Sequence, residues 1–106
     1  MHRFLLPMLL LFAAGTAHAA PHRIFIAGDS TAAEYGPERA PQAGWGQALQ
    51  SYFDPAVWEV RNHAKGGRSA RSFIEEKRLD AIAAELQPGD VLLIQFGHND
   101  AKFEDP

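Results

Sequence analysis

Three apolar runs, each stopped by a short polar turn, set the pattern of this chain. Ile24-Phe25-Ile26-Ala27 ends at Gly28-Asp29-Ser30-Thr31. Val57, Trp58 and Val60 lead to Asn62, and Val91-Leu92-Leu93-Ile94, with Phe96, leads into Gly97-His98-Asn99-Asp100. Unbroken apolar runs of this kind fit parallel strands covered on both faces. They predict strands over 23–28, 57–62 and 90–96, the last being the clearest and suited to the centre of a sheet. Between the runs the period lengthens. Trp45, Ala48, Leu49 and Tyr52 obey the i, i+3, i+4, i+7 rule, which predicts a helix over 44–53 with these four in the core, ended by Asp54-Pro55. Phe73, Leu79, Ile82, Ala83 and Leu86 predict a single helix over 70–87, ended at Gln87-Pro88-Gly89. Residues 33–42, with Gly36, Pro37, Pro41 and three charges, read as an exposed loop. A β-α-β-α-β order predicts an α/β fold built on a parallel sheet. Right-handed crossovers then bring all three polar turns to the carboxyl edge, where open sheets of this kind bind ligands.

Taken singly, the turns are ambiguous. Asp29, Ser30 or Thr31 could simply cap a helix. Gly66-Gly67, in Asn62-His63-Ala64-Lys65-Gly66-Gly67-Arg68-Ser69-Ala70-Arg71, could be an ordinary connection or a backbone donor to an anion. Arg68 and Arg71 read as solvated charges at a helix start. Together the turns place a hydroxyl, a backbone N–H and a carboxamide at one cleft, which is what an oxyanion needs. Ala32 stands where the second glycine of a G-x-S-x-G elbow would be, so the ordinary α/β-hydrolase arrangement is disfavoured.

These blocks resemble the SGNH (GDSL-like) hydrolases, and within them the rhamnogalacturonan acetylesterase branch. Gly28-Asp29-Ser30 matches the nucleophile block, Gly67 the glycine block and Asn99 in Gly97-His98-Asn99-Asp100 the asparagine block. Gly44-Trp45-Gly46 and Ser69-Ala70-Arg71-Ser72-Phe73 point to the branch. The resemblance implies a three-layer, flavodoxin-like fold cut short after its third strand. It implies Ser30 as nucleophile, with the N–H of Ser30, the N–H of Gly67 and the Asn99 side chain as oxyanion hole. Asp29, Thr31 and His98 would touch the substrate, an acetylated polysaccharide or small ester, and no cofactor or metal is implied. The family's Asp-x-x-His block is absent from this sequence, so Ser30 lacks its usual base, and His63 and His98 are read as structural or substrate-contacting. Two other readings follow from that gap: a non-catalytic flavodoxin-like module binding a phosphate or acidic sugar, and an inactive gene fragment.

Composition narrows the context. His2 and Arg3, the apolar run Phe4 to Ala14 and the small residues of Ala17-His18-Ala19 form the three parts of an export signal, expected over residues 1–19. The expected domain is then 20–106, secreted or periplasmic, with no membrane segment in its mature form. Without Arg3 the balance is nine Lys and Arg against thirteen Asp and Glu, a net charge of −4. That balance argues against nucleic acid as a partner. The absence of cysteine excludes disulfides and thiol catalysis within these 106 residues.

Overall fold

The structure is a computed structural model that describes residues 19–101. The expected export signal, apart from Ala19, lies outside that range, as do residues 102–106 of the expected domain. Strands β1 (His22–Gly28), β2 (Trp58–Asn62) and β3 (Val91–Gln95) form one parallel sheet in the order β2-β1-β3. Ile24 of β1 stands opposite Val60 on one side and Val91 on the other. With a neighbour on each side and cover on each face, β1 buries Ile24, Phe25, Ile26 and Ala27 alike. That double burial is why its apolar run is unbroken.

Side chains alternate across a strand, and the two faces of β1 meet different partners. Phe25 and Ala27 join Phe73 and Ile82 from helices α2 (Ala70–Glu75) and α3 (Arg78–Glu85), with Leu79, Leu86, Leu92 and Phe96 around them. The other face carries Ile24, Ile26 and Gly28 toward the segment Ala32–Ala33 and helix α1 (Trp45–Leu49), which runs on as a 3-10 turn over Gln50–Tyr52. Helices therefore cover both faces, and the expected three-layer α/β arrangement is present.

Three local expectations are corrected. The 70–87 segment is two helices, not one, broken where Lys77 takes a left-handed conformation with φ 66°. Phe73 and Ile82 are nine positions apart, which on one continuous helix puts them about half a turn out of phase. The break lets both enter the same core. Ser69 caps the start of α2 by accepting from Ser72 N at 3.0 Å, while its own N–H donates to Ser72 Oγ at 2.9 Å.

Helix α1 does not bury the stripe its spacing suggests. Trp45 is 37% exposed and Tyr52 79%, whereas Gly44 and Gly46 are buried. The helix docks by its backbone: Gly44, Trp45 and Gly46 N–H groups donate to the carbonyls of Ala33, Thr31 and Ala32 at 3.1, 3.0 and 3.1 Å. A Cβ at Gly44 or Gly46 would run into those same carbonyls. Finally, β3 is an edge strand among the described residues and β1 the central one. Ile94 is 62% exposed, and Val91 and Leu93 are exposed as well.

The foot of β3 is clamped by Asp90, which accepts from Arg23 N at 2.8 Å and Gln87 N at 2.9 Å. These donors, Arg23 before Gln87, favour the carboxylate and hold its pKa below the usual value. A group with a lowered native pKa stabilises the fold above its unfolded pKa, and that contribution disappears as pH falls through the native value. The urea midpoint of the wild type should therefore drop below about pH 4. Asp90→Asn should start from a lower midpoint at neutral pH and fall less steeply in acid; parallel acid profiles would remove Asp90 from this account. At the other end of the sheet, Gly46→Ala forces a methyl group against backbone that cannot yield cheaply. Urea unfolding should show a loss of about 1–3 kcal/mol, the usual cost of overpacking.

Candidate active site

Strand β1 delivers Ser30 to the carboxyl edge. Its last residue, Gly28, is in register with Gln95, and a Cβ there would lie 2.9 Å from the Gln95 carbonyl oxygen. The chain then turns, with Ala32 N donating to Asp29 O at 3.1 Å. Asp29 Oδ1 accepts from Thr31 N at 3.0 Å, and the Thr31 hydroxyl lies 2.8 Å from both Asp29 Oδ1 and Gln95 Oε1. A hydroxyl has one proton to give, so those two oxygens share it. Ser30 itself is half-buried, and the Tyr35 hydroxyl donates to its carbonyl at 2.7 Å. Tyr35 is in turn held to α1 by a reciprocal pair: its N–H donates to Gln47 Oε1 at 2.8 Å, and Gln47 Nε2 donates to its carbonyl at 3.0 Å.

Past the end of β2 the ladder continues, with His63 N donating to Ile26 O at 2.9 Å and Lys65 N to Gly28 O at 3.0 Å. The Asn62 side chain ties this edge to the serine turn: Nδ2 donates to Ala32 O at 2.8 Å and Oδ1 accepts from Ala64 N at 3.0 Å. Gly66 then comes up to Ser30. A Cβ on Gly66 would lie 3.6 Å from Ser30 Cβ, so the serine and glycine turns are in contact. Gly67 has φ +80°, a conformation that favours glycine, and nothing lies within 4 Å of where its Cβ would be. Arg68 braces the turn, Nη1 donating to Gly66 O at 2.8 Å and Nε to Glu76 Oε1 at 3.0 Å.

The third turn is bound to the second. Asn99 is 2% exposed, and its Nδ2 donates to Arg68 O at 3.0 Å. Ala70 N donates to Asp100 Oδ1 at 3.2 Å, so the third turn also holds the start of α2. Serine turn, glycine turn and asparagine turn thus form one contiguous edge, with Ser30 against Gly66 and Asn99 bonded to Arg68, the residue after Gly67. Of the residues the sequence assigns to substrate, Thr31 and His98 are exposed at this edge. Asp29 is wholly buried inside its turn, with Oδ2 unpartnered; its observed contacts hold the turn. Among the described residues no histidine or carboxylate hydrogen-bonds the Ser30 hydroxyl. The His63 ring packs 5.9 Å from that of Phe25, and His22 sits by Trp58 and Asp90.

Sequence reasoning missed three residues that shape this edge. Gln95 had a signal, as the one polar residue inside an apolar strand: its Oε1 accepts from Trp45 Nε1 at 2.7 Å and faces the Thr31 hydroxyl. Trp45 was hidden by helical spacing that assigned it to the core. Tyr35 lies in a loop, where no periodicity marks it.

Known proteins resemble this chain in sequence and in fold. A model of the GDSL-like lipase/acylhydrolase family matches residues 26–106. The rhamnogalacturonan acetylesterase RhgT of Bacillus subtilis is 57% identical over 82 residues, covering 77% of this chain and 35% of that protein. A rhamnogalacturonan acetylesterase of Emericella nidulans is 48% identical over 73% of this chain and 28% of its own length. The crystal structure of protein YxiM from Bacillus subtilis superposes with a TM-score of 0.74 at 41% identity, over 80% of this chain and 24% of that one. The chain thus spans about a third or less of these relatives.

The bond from Asn99 to Arg68 O joins two turns inside the fold, so Asn99→Ala leaves a carbonyl without its donor. Urea unfolding should register a loss of about 1–3 kcal/mol. An unchanged midpoint would mean that the two turns are not joined in solution.

Proposed function

As this chain belongs to the GDSL-like lipase/acylhydrolase family, we propose that it carries the nucleophile and oxyanion hole of an exported esterase that removes acetyl groups from rhamnogalacturonan-type polysaccharide. The observation behind this reading is the contact of the Ser30 turn with the Gly66-Gly67 turn, to which Asn99 is itself tied. The Ser30 hydroxyl attacks the acetyl carbonyl carbon, and the negative charge that develops on its oxygen is met by the N–H groups of Ser30 and Gly67 and by the Asn99 carboxamide. A carboxamide nitrogen has two N–H groups; Asn99 spends one on Arg68 and keeps the other for this task. Collapse of the tetrahedral species expels the sugar hydroxyl and leaves acetyl-Ser30, which water hydrolyses to acetate.

An unassisted serine is a weak nucleophile, and the proton of Ser30 has no acceptor among the described residues. Turnover therefore needs a base that the described residues do not bring to the Ser30 hydroxyl. The substrate class is supported by the relatives named rhamnogalacturonan acetylesterases, and export by the pattern of residues 1–19.

Imidazole can stand in for the missing base. Hydrolysis of p-nitrophenyl acetate by the chain should be negligible alone and should rise with imidazole above the rate that imidazole gives with Ser30→Ala. Asn99→Ala should cut the rescued rate by roughly 10²–10³, the usual effect of losing one oxyanion donor. Rescue that persists in Ser30→Ala would identify a different nucleophile, and no rescue in the wild type would favour a non-catalytic binding module.

A further inference from the structure

Trp45 is fixed more tightly than its exposure requires. Its main-chain N–H donates to Thr31 O at 3.0 Å, and its indole N–H donates to Gln95 Oε1 at 2.7 Å. Thr31 follows Ser30 directly, and Gln95 ends the strand that leads to Asn99. The indole is therefore held by its polar edge between the serine turn and the root of the asparagine turn, and the residue remains 37% exposed. Gly44 and Gly46 on either side bring the backbone close enough to make this placement possible, since a side chain at either would strike the serine loop. A tryptophan anchored by its indole N–H, 37% exposed and bonded through its backbone to the residue after Ser30, can present a flat apolar face of fixed orientation. Rigid aromatic surface costs little conformational entropy to bind against, and a pyranose ring offers the matching partner, an apolar face of C–H groups.

We propose that Trp45 is a sugar-binding platform, on which a pyranose ring of the polysaccharide stacks beside the acetyl ester presented to Ser30. This rests on the esterase reading for its substrate class. The platform sets which sugar residue is offered, while Gln95 sets its orientation and acts as a positioning residue.

The test separates binding from turnover by using the full chain carrying Ser30→Ala. It is labelled with ¹⁵N and titrated with a rhamnogalacturonan oligosaccharide, and the two indole N–H resonances are assigned with Trp58→Phe. The Trp45 resonance should shift saturably while that of Trp58 stays in place. In calorimetry, Trp45→Tyr, which keeps an aromatic face, should bind within a few-fold of the parent. Trp45→Leu should lose about tenfold or more, the size of effect expected of a central aromatic anchor. An unmoved Trp45 resonance overturns the proposal, as does equal affinity in Trp45→Leu with a dispersed spectrum. If Trp45→Leu fails to fold, the Trp45 resonance of the Ser30→Ala chain decides alone. Failure of imidazole rescue with sugar binding intact would sink the esterase reading and leave the platform standing.

Discussion

The pairing of β1 with both its neighbours, carried through to Gly28, is the constraint on which the meeting of the three turns depends. Because Gly28 lies opposite Gln95 and its carbonyl accepts from Lys65 N, all three chains leave the sheet at the same level. The turn that follows each one then meets the others without a long loop. A shift of one residue in either pairing would turn the side chains of that strand to the wrong face and pull Ser30 away from Gly66. Hydrogen bonds between the turns, from Asn62 to Ala32 and from Asn99 to Arg68, then lock an alignment that the ladder has already set.

What could be read from the chain was what depended on local burial. The run Ile24–Ala27 announced β1 because both faces of that strand are covered, and each polar turn was visible as an abrupt end to an apolar run. The misreadings have a common physical origin: in each, a distant partner decided the outcome. Period alone joined Phe73 to Ile82 in one helix, although a shared core requires the break at Lys77. It likewise assigned Trp45 and Tyr52 to the interior, because a helix docked through glycine backbone leaves no mark in the hydrophobic spacing. The run Val91–Ile94 is as apolar as β1, and composition does not reveal which of two such strands will be flanked.

The site was legible in a different way. Ser30, Gly67 and Asn99 were singled out by motif order, and what the structure adds is contact between their turns: Gly66 beside Ser30, and Asn99 bonded to the Arg68 carbonyl. The supporting residues could not have been found so: Tyr35 holds the Ser30 carbonyl from a loop, and Gln95 links Thr31 with Trp45 across sixty-four and fifty positions of sequence. Bonds of that span are recorded only in three dimensions.

The outer side of β3 carries a consequence for handling the protein. From Val91 to Gly97 the strand and its exit contain no charge and no proline, and Val91, Leu93 and Ile94 are exposed. Soluble proteins usually guard a bare strand edge with lysine, proline or a bulge, because its unpaired N–H and C=O groups recruit any other extended chain. Among the described residues that guard is missing. In any solution of a chain limited to the described residues, loss of material would thus be governed by how often two such edges collide, which depends on dilution and not on the strength of the fold.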